Sequence, residues 1–152
     1  MLNISASKIE REQFLNSYMS AAAWLARVDA DNGDTVSRSG TTITEADALR
    51  ALKADADGYR DIREDCESFI WSVEENEQDG YSVSDADWQR YVAYGGSWAQ
   101  AGFDFYLSRN GHGGGFKDRG AYALADLARP YGTSEITLSR DASHTLRARV
   151  TG

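Results

Sequence analysis

Cysteine is almost missing from this sequence. The single copy, Cys66, excludes an intrachain disulfide and any cysteine-only metal site, and it fits a reducing compartment such as the cytosol. Proline is equally scarce, present at Pro130 alone. No apolar stretch approaches the ~20 residues that a membrane-spanning helix needs. The opening residues, MLNISASKIEREQF, carry neither a basic lead before an apolar run nor a small-residue cleavage site, so a soluble protein is expected. A chain of 152 residues has the size of one domain and buries enough core to fold without metal or bridges. Residues 1–152 are therefore read as a single domain with no cofactor implied.

Positive charge is also in short supply, and unevenly so. Residues 1–100 hold 19 acidic against 9 basic side chains, a balance of −10, whereas residues 101–152 hold 5 against 7, a balance of +2. Between Glu45 and Asp87 the count is 14 against 4. Such a segment repels a phosphate backbone, which argues against direct nucleic-acid binding through this half.

What is present is helical periodicity, followed by a change of period. Ser7 and Glu10 form a capping box, and Ile9, Phe14, Tyr18, Ala21, Ala22, Leu25 and Val28 recur behind it at helical spacing, predicting a helix from Lys8 to about Val28. The segment DADNGDTVSRSGTT is polar and aperiodic and reads as a loop. Thr44 and Asp47 cap a second helix, with Ile43 as a staple. Ala48, Leu49, Leu52, Tyr59, Ile62, Cys66, Phe69, Ile70 and Val73 lie on its inner face, and Gly58 marks a kink or a break into two helices. Ser84 and Asp87 open a third helix carrying Trp88, Tyr91, Val92 and Tyr94, stopped by YGGS.

In FDFYLSR, Phe103, Phe105 and Leu107 alternate with polar neighbours, the pattern of a half-buried strand, and Asn110-Gly111 follows as a hairpin signal with GGFKD as the return strand. A short helix in GAYALADLARPYG and a second hairpin from SEITLSR and HTLRARV, turning around Asp141 to Ser143, complete the chain. The fold class is thus α+β: N-terminal helices (the acidic half, 1–100) packed with a small antiparallel sheet of two hairpins and a short helix (the β-rich half, 101–152).

The glycine-rich stretch RNGHGGGFKDRG, Arg109–Gly120, carries the chemistry most open to question. Its HGGG string supplies oxyanion-hole amides in some esterases, but the G-x-S-x-G elbow those enzymes need is absent, since GGSWA at Gly95–Ala99 ends in alanine and precedes the string. No phosphate-loop or dinucleotide spacing is present. The favoured reading is a turn whose glycines allow close backbone approach, with no catalytic residue and with His112 and the arginines hydrogen-bonding carbonyls and carboxylates. The alternative is a small hydrolase or transferase site in which His112 is the acid or base, Asp104 or Asp118 its carboxylate partner, and Arg109 or Arg119 the grip on an anionic substrate. Between these lies a simple anion site of glycine amides and arginine forks.

No metal site is expected. His112 and His144 are far apart, Cys66 falls on an apolar helix face, and the calcium-like stretch Asp29–Asp34 lacks the glycine and glutamate of an EF-hand loop at Asp34 and Gly40. The acidic run from Glu45 to Asp87 reads either as the solvated outside of amphipathic helices or as a surface shaped for a basic groove on another protein. On the second reading Asp57, Asp61, Glu64 and Glu75 are the partner-binding residues. Among Trp71, Trp88, Tyr91, Tyr94 and Trp98, most are expected to pack and one or two to anchor an interface.

Ala101–Gly120, AGFDFYLSRNGHGGGFKDRG, resembles a recurrent stretch close to AGHDFWLTRNGHGAGFWDRG in small proteins encoded by bacteriophages and other mobile elements. Asp104, Phe105, Leu107, Arg109 to Gly113, Gly115, Phe116 and Asp118 to Gly120 match that pattern. EDCESF at Glu64–Phe69 resembles a shorter D-C-x-x-F piece. Phe103 stands where the pattern has histidine and Lys117 where it has tryptophan, so a site using that imidazole or that indole is absent here. The resemblance implies a phage or prophage setting, hence the cytoplasm of a bacterial host, more than a chemistry.

By analogy with small acidic proteins of such elements, the expected function is a non-enzymatic accessory protein. It binds a host protein through its acidic helical surface, as an inhibitor of a nucleic-acid-handling defence complex of the anti-CRISPR or anti-restriction, DNA-mimic type. A self-associating structural or assembly protein is the third expectation, and oligomeric state is left open.

Overall fold

The computed structural model describes residues 4–33, 44–75, 83–112, 114–143 and 145–151, and the side chains of 27–33 fall outside that description. Asp34, Ile43 and His144, and the side chains of Val28 and of residues 29–33, therefore lie outside the description.

The elements follow from local chemistry. Helix α1, Lys8–Gly33, starts at the expected capping box: Ser7 Oγ accepts from the Glu10 amide at 3.1 Å, and Glu10 accepts from the Ser7 amide at 3.0 Å. Thr44 and Asp47 do the same for α2, Glu45–Ala54. The long second helix of the sequence reading is two helices, and it breaks at Asp55 rather than Gly58. Asp55 ends α2 and then caps α3, Ala56–Glu74, its carboxylate accepting from the Gly58 amide at 3.4 Å. Helix α4, Asp85–Ala93, opens on the Ser84–Asp87 capping box.

The segment read as a strand is instead helix α5, Trp98–Arg109, and the first hairpin does not exist. Gly111 does use positive φ (71°), whereas Asn110 stays at φ −95°, and together they end a helix: the His112 amide bonds back to Leu107 O at 3.0 Å and the Gly111 amide to Ser108 O at 3.5 Å. The return strand expected in GGFKD, Gly114–Asp118, is instead replaced by a 3-10 turn, Gly115–Arg119. Its close approach to α5 needs Gly115, where a β-carbon would fall 2.6 Å from Ser108 Oγ. Helix α6, Tyr122–Ala128, follows and gives way to a 3-10 turn at Pro130. Strands β1, Glu135–Arg140, and β2, Leu146–Thr151, form the second hairpin as expected, paired antiparallel from Glu135↔Thr151 to Arg140↔Leu146. The fold is α+β: six α-helices among the described residues and one two-stranded sheet at the C-terminal end.

One buried cluster joins these elements. Phe14 and Tyr18 of α1, Phe69 of α3 and Phe105 of α5 meet at ring separations of 4.3 to 6.0 Å, with Tyr91 and Phe116 at the margin. Helix α1 lies along α5, α2 lies against β2, and Ile136, Leu138 and Ala148 turn the sheet's inner face to the helices. Ile9 is 68% exposed, and Val92 and Tyr94 also point outward, against the faces assigned to them from periodicity. No described helix is long and apolar enough to cross a membrane.

Candidate functional site

The polar residues in and around the glycine-rich stretch separate into two buried networks and one open cleft. Asp104, on α5, is 2% exposed and accepts from Tyr91 Oη at 2.7 Å, Gln100 Nε2 at 3.0 Å and Arg119 Nε at 3.2 Å. Arg119 also donates to the carbonyl of Tyr94 at 3.0 Å, binding the end of α4 to the 3-10 turn. Burial, reinforced by the adjacent Asp104 charge, pushes the Tyr91 phenol far above its ordinary range, so it remains a donor.

Arg109 forms the second network. Its side chain is 3% exposed and donates to Gly132 O at 2.9 Å, Tyr131 O at 3.0 Å, Tyr18 Oη at 3.1 Å and Asp65 Oδ2 at 2.8 Å, while its guanidinium lies over the rings of Phe105 and Tyr131. Burial works against the charge, yet Tyr18 and Asp65 hold the guanidinium pKa above its ordinary value. Arg109 thus joins α1, α3, α5 and the segment after α6.

His112 belongs to neither network. It stacks on Tyr106 at 6.1 Å and its Nε2 meets Glu135 Oε1, at the start of β1, at 2.9 Å. Asn110 sets that register: its side chain donates to Ser134 O at 3.3 Å and accepts from the Ser134 amide at 2.6 Å. His112 is about one-third exposed and lines a cleft of about 170 Å³ with Ser108, Gly111, Gly114, Lys117, Ala125 and Arg129. Of the candidate set His112, Asp104, Arg109, Asp118 and Arg119, only His112 is on that wall among the described residues. The structure brings Asp104 to Arg119 and His112 to Glu135, and Glu135, Lys117 and Arg129 are site residues that sequence reasoning missed. Glu135 is 23 positions from His112 and pairs with it only through the Asn110 clamp, which no local spacing reveals.

The acidic residues of α3 also divide into two sets. Asp65 is tied to Arg109, and Glu67 and Glu74 both pair with Arg11 of α1, Glu67 at 2.8 Å. Asp57, Asp61, Glu64 and Glu75 are exposed. Counted from Asp57 they recur after 4, 7 and 18 positions, which returns each to one side of a helix with 3.6 residues per turn. Arg60 touches Asp57 at 3.4 Å and Asp61 at 4.0 Å, whereas Glu64 and Glu75 have no ion-pair partner among the described residues. Trp71, 14 positions after Asp57, falls on the same stripe and is 51% exposed. Trp88, Tyr91 and Trp98 pack inward instead.

Comparison of the chain with protein-family models, with curated proteins and with solved structures gives no significant match in any of the three.

Proposed function

We propose that this chain is a non-enzymatic binding protein whose α3 surface engages a basic surface on a host protein. The phage or mobile-element setting implied by Ala101–Gly120 makes that partner a nucleic-acid-handling defence complex. The observation that carries the reading is Trp71, half exposed within the outward stripe of Asp57, Asp61, Glu64 and Glu75. A solubilising face needs charge but gains nothing from an exposed indole, whereas interface anchors are enriched in tryptophan ringed by polar groups. The stripe extends over about 27 Å at ~1.5 Å of rise per residue, enough to track an elongated basic groove.

Charge complementarity of this kind raises the association rate and fades with added salt. The test is capture from host lysate at low and high ionic strength with the native chain and with a variant carrying Asp57→Lys, Asp61→Lys, Glu64→Lys and Glu75→Lys. One partner should be retained at low salt, released at high salt and lost in the variant. Retention of that partner by the variant at both salt concentrations would remove the reading.

A further inference from the structure

The cleft beside His112 has a composition that the α3 surface does not explain, and the two are independent. Its wall carries three nitrogen bases, His112, Lys117 and Arg129, with Ser108 and two glycines, Gly111 and Gly114, both at positive φ (71° and 99°). The Lys117 side chain has no hydrogen-bond or ion-pair partner among the described residues, its carbonyl accepting from the Gly120 amide. Arg129 spends only Nη2, on Asp126 at 2.9 Å, which leaves its Nε and Nη1 donors without a partner there. Glu135 holds His112 through Nε2 at 2.9 Å. Ser108 Oγ accepts from the Phe116 amide at 3.1 Å, which fixes its lone pair and leaves its hydroxyl proton to be donated.

The volume decides what class of ligand this wall suits. At about 170 Å³ the cleft is well below the ~300–1,000 Å³ typical of sites for coenzymes or drug-sized molecules. It is room for a few waters or one small polyatomic ion. Two permanent cations, Lys117 and Arg129, select an anion, and a guanidinium with adjacent N–H groups free matches the paired oxygens of a phosphoryl group. Glycines at the rim keep side chains out of the way of such a group.

We propose that this cleft binds a tetrahedral oxyanion, phosphate or the terminal phosphoryl group of a phosphomonoester, between Lys117 and Arg129. Neither cation belongs to the buried networks, and both side chains are exposed, so each can be removed without opening the core.

The experiment is an amide-resolved NMR titration of the full chain with inorganic phosphate and, separately, with glycerol 2-phosphate, each at constant ionic strength and pH, with chloride as the blank. Saturable shifts confined to residues 108–117 and around Arg129 are expected with phosphate and not with chloride. Lys117→Ala and Arg129→Ala should each weaken binding by about tenfold, the loss of one charge-assisted contact. Tighter binding of the monoester identifies a larger phosphorylated ligand and equal binding identifies the free ion, and either result supports the site. Absence of saturation with both probes overturns it, as does saturation that neither substitution weakens.

Discussion

Gly102 of α5 lies against the main-chain carbonyl of Phe14 on α1, so close that a β-carbon would stand 2.8 Å from the carbonyl carbon and nearer still to its oxygen. This is a backbone-to-backbone contact, and neither side can yield by changing a rotamer. Gly102→Ala should therefore destabilise the fold by about 2 kcal/mol or more, because overpacking outweighs the ~1 kcal/mol that alanine gains in helix propensity. Urea denaturation measures it, and a stabilised variant would show that α1 and α5 are further apart than described.

Arg109→Met should cost about 3 kcal/mol, since it strands the carbonyls of Tyr131 and Gly132 and the hydroxyl of Tyr18 without their donor. Asp65→Asn should cost less, because that carboxylate is 38% exposed and water partly replaces the arginine. Equal losses in the two variants would contradict the assignment of Arg109 as the hub.

Stability should fall in alkali. Burial raises the Cys66 thiol and the Tyr18 and Tyr91 phenols above their ordinary values of 9.0 and 10.0, with Asp104 adding to the effect at Tyr91. The unfolded chain releases these protons first. Above about pH 9 the native state therefore binds more protons than the unfolded one, and unfolding becomes easier by up to about 1.4 kcal/mol per pH unit for each such group. Denaturation midpoints between pH 7 and 11 read this directly, and a midpoint that rises over that interval would refute it.

Cys66 is 2% exposed and its thiol is held protonated by burial. A water-soluble thiol reagent should modify it only as fast as the fold opens, and at a rate that increases with urea. Immediate labelling of the native chain would place Cys66 at the surface.

The outward Trp71 of α3 should be dispensable for folding. Trp71→Ala should change stability by less than about 1 kcal/mol, as expected for an exposed side chain away from caps and core. A loss above about 2 kcal/mol for Trp71→Ala would mean that the indole is packing, not presented.

Helix starts were legible because capping boxes are written in four consecutive residues, as at Ser7–Glu10, Thr44–Asp47 and Ser84–Asp87. Helix α5 was not, because it is buried on most of its circumference. Trp98, Ala101, Phe105, Tyr106 and Arg109 face the core, and so does Asp104, whose three donors make an acidic residue tolerable inside. Without a polar stripe the 3.6-residue period fades, and the chance alternation of Phe103, Phe105 and Leu107 reads as a strand. The one local sign of the helix was Ser97 with Gln100, where Ser97 Oγ accepts from the Gln100 amide at 3.0 Å. Asn110-Gly111 misled for a related reason: hairpin turns and helix ends ask the same backbone freedom of glycine, and only the neighbours decide which is built. The cleft was half legible, since His112 and the glycines were visible as a group while Glu135 and Arg129 arrive through tertiary packing.

Asn110 bears on how the C-terminal ribbon is held. A carboxamide is a peptide group on a short tether, and by donating to and accepting from Ser134 it imitates one residue of a neighbouring strand. Two strands alone are marginal in water. This ribbon is therefore anchored from outside itself: the residue that ends α5 holds Ser134, immediately before the first paired residue of β1.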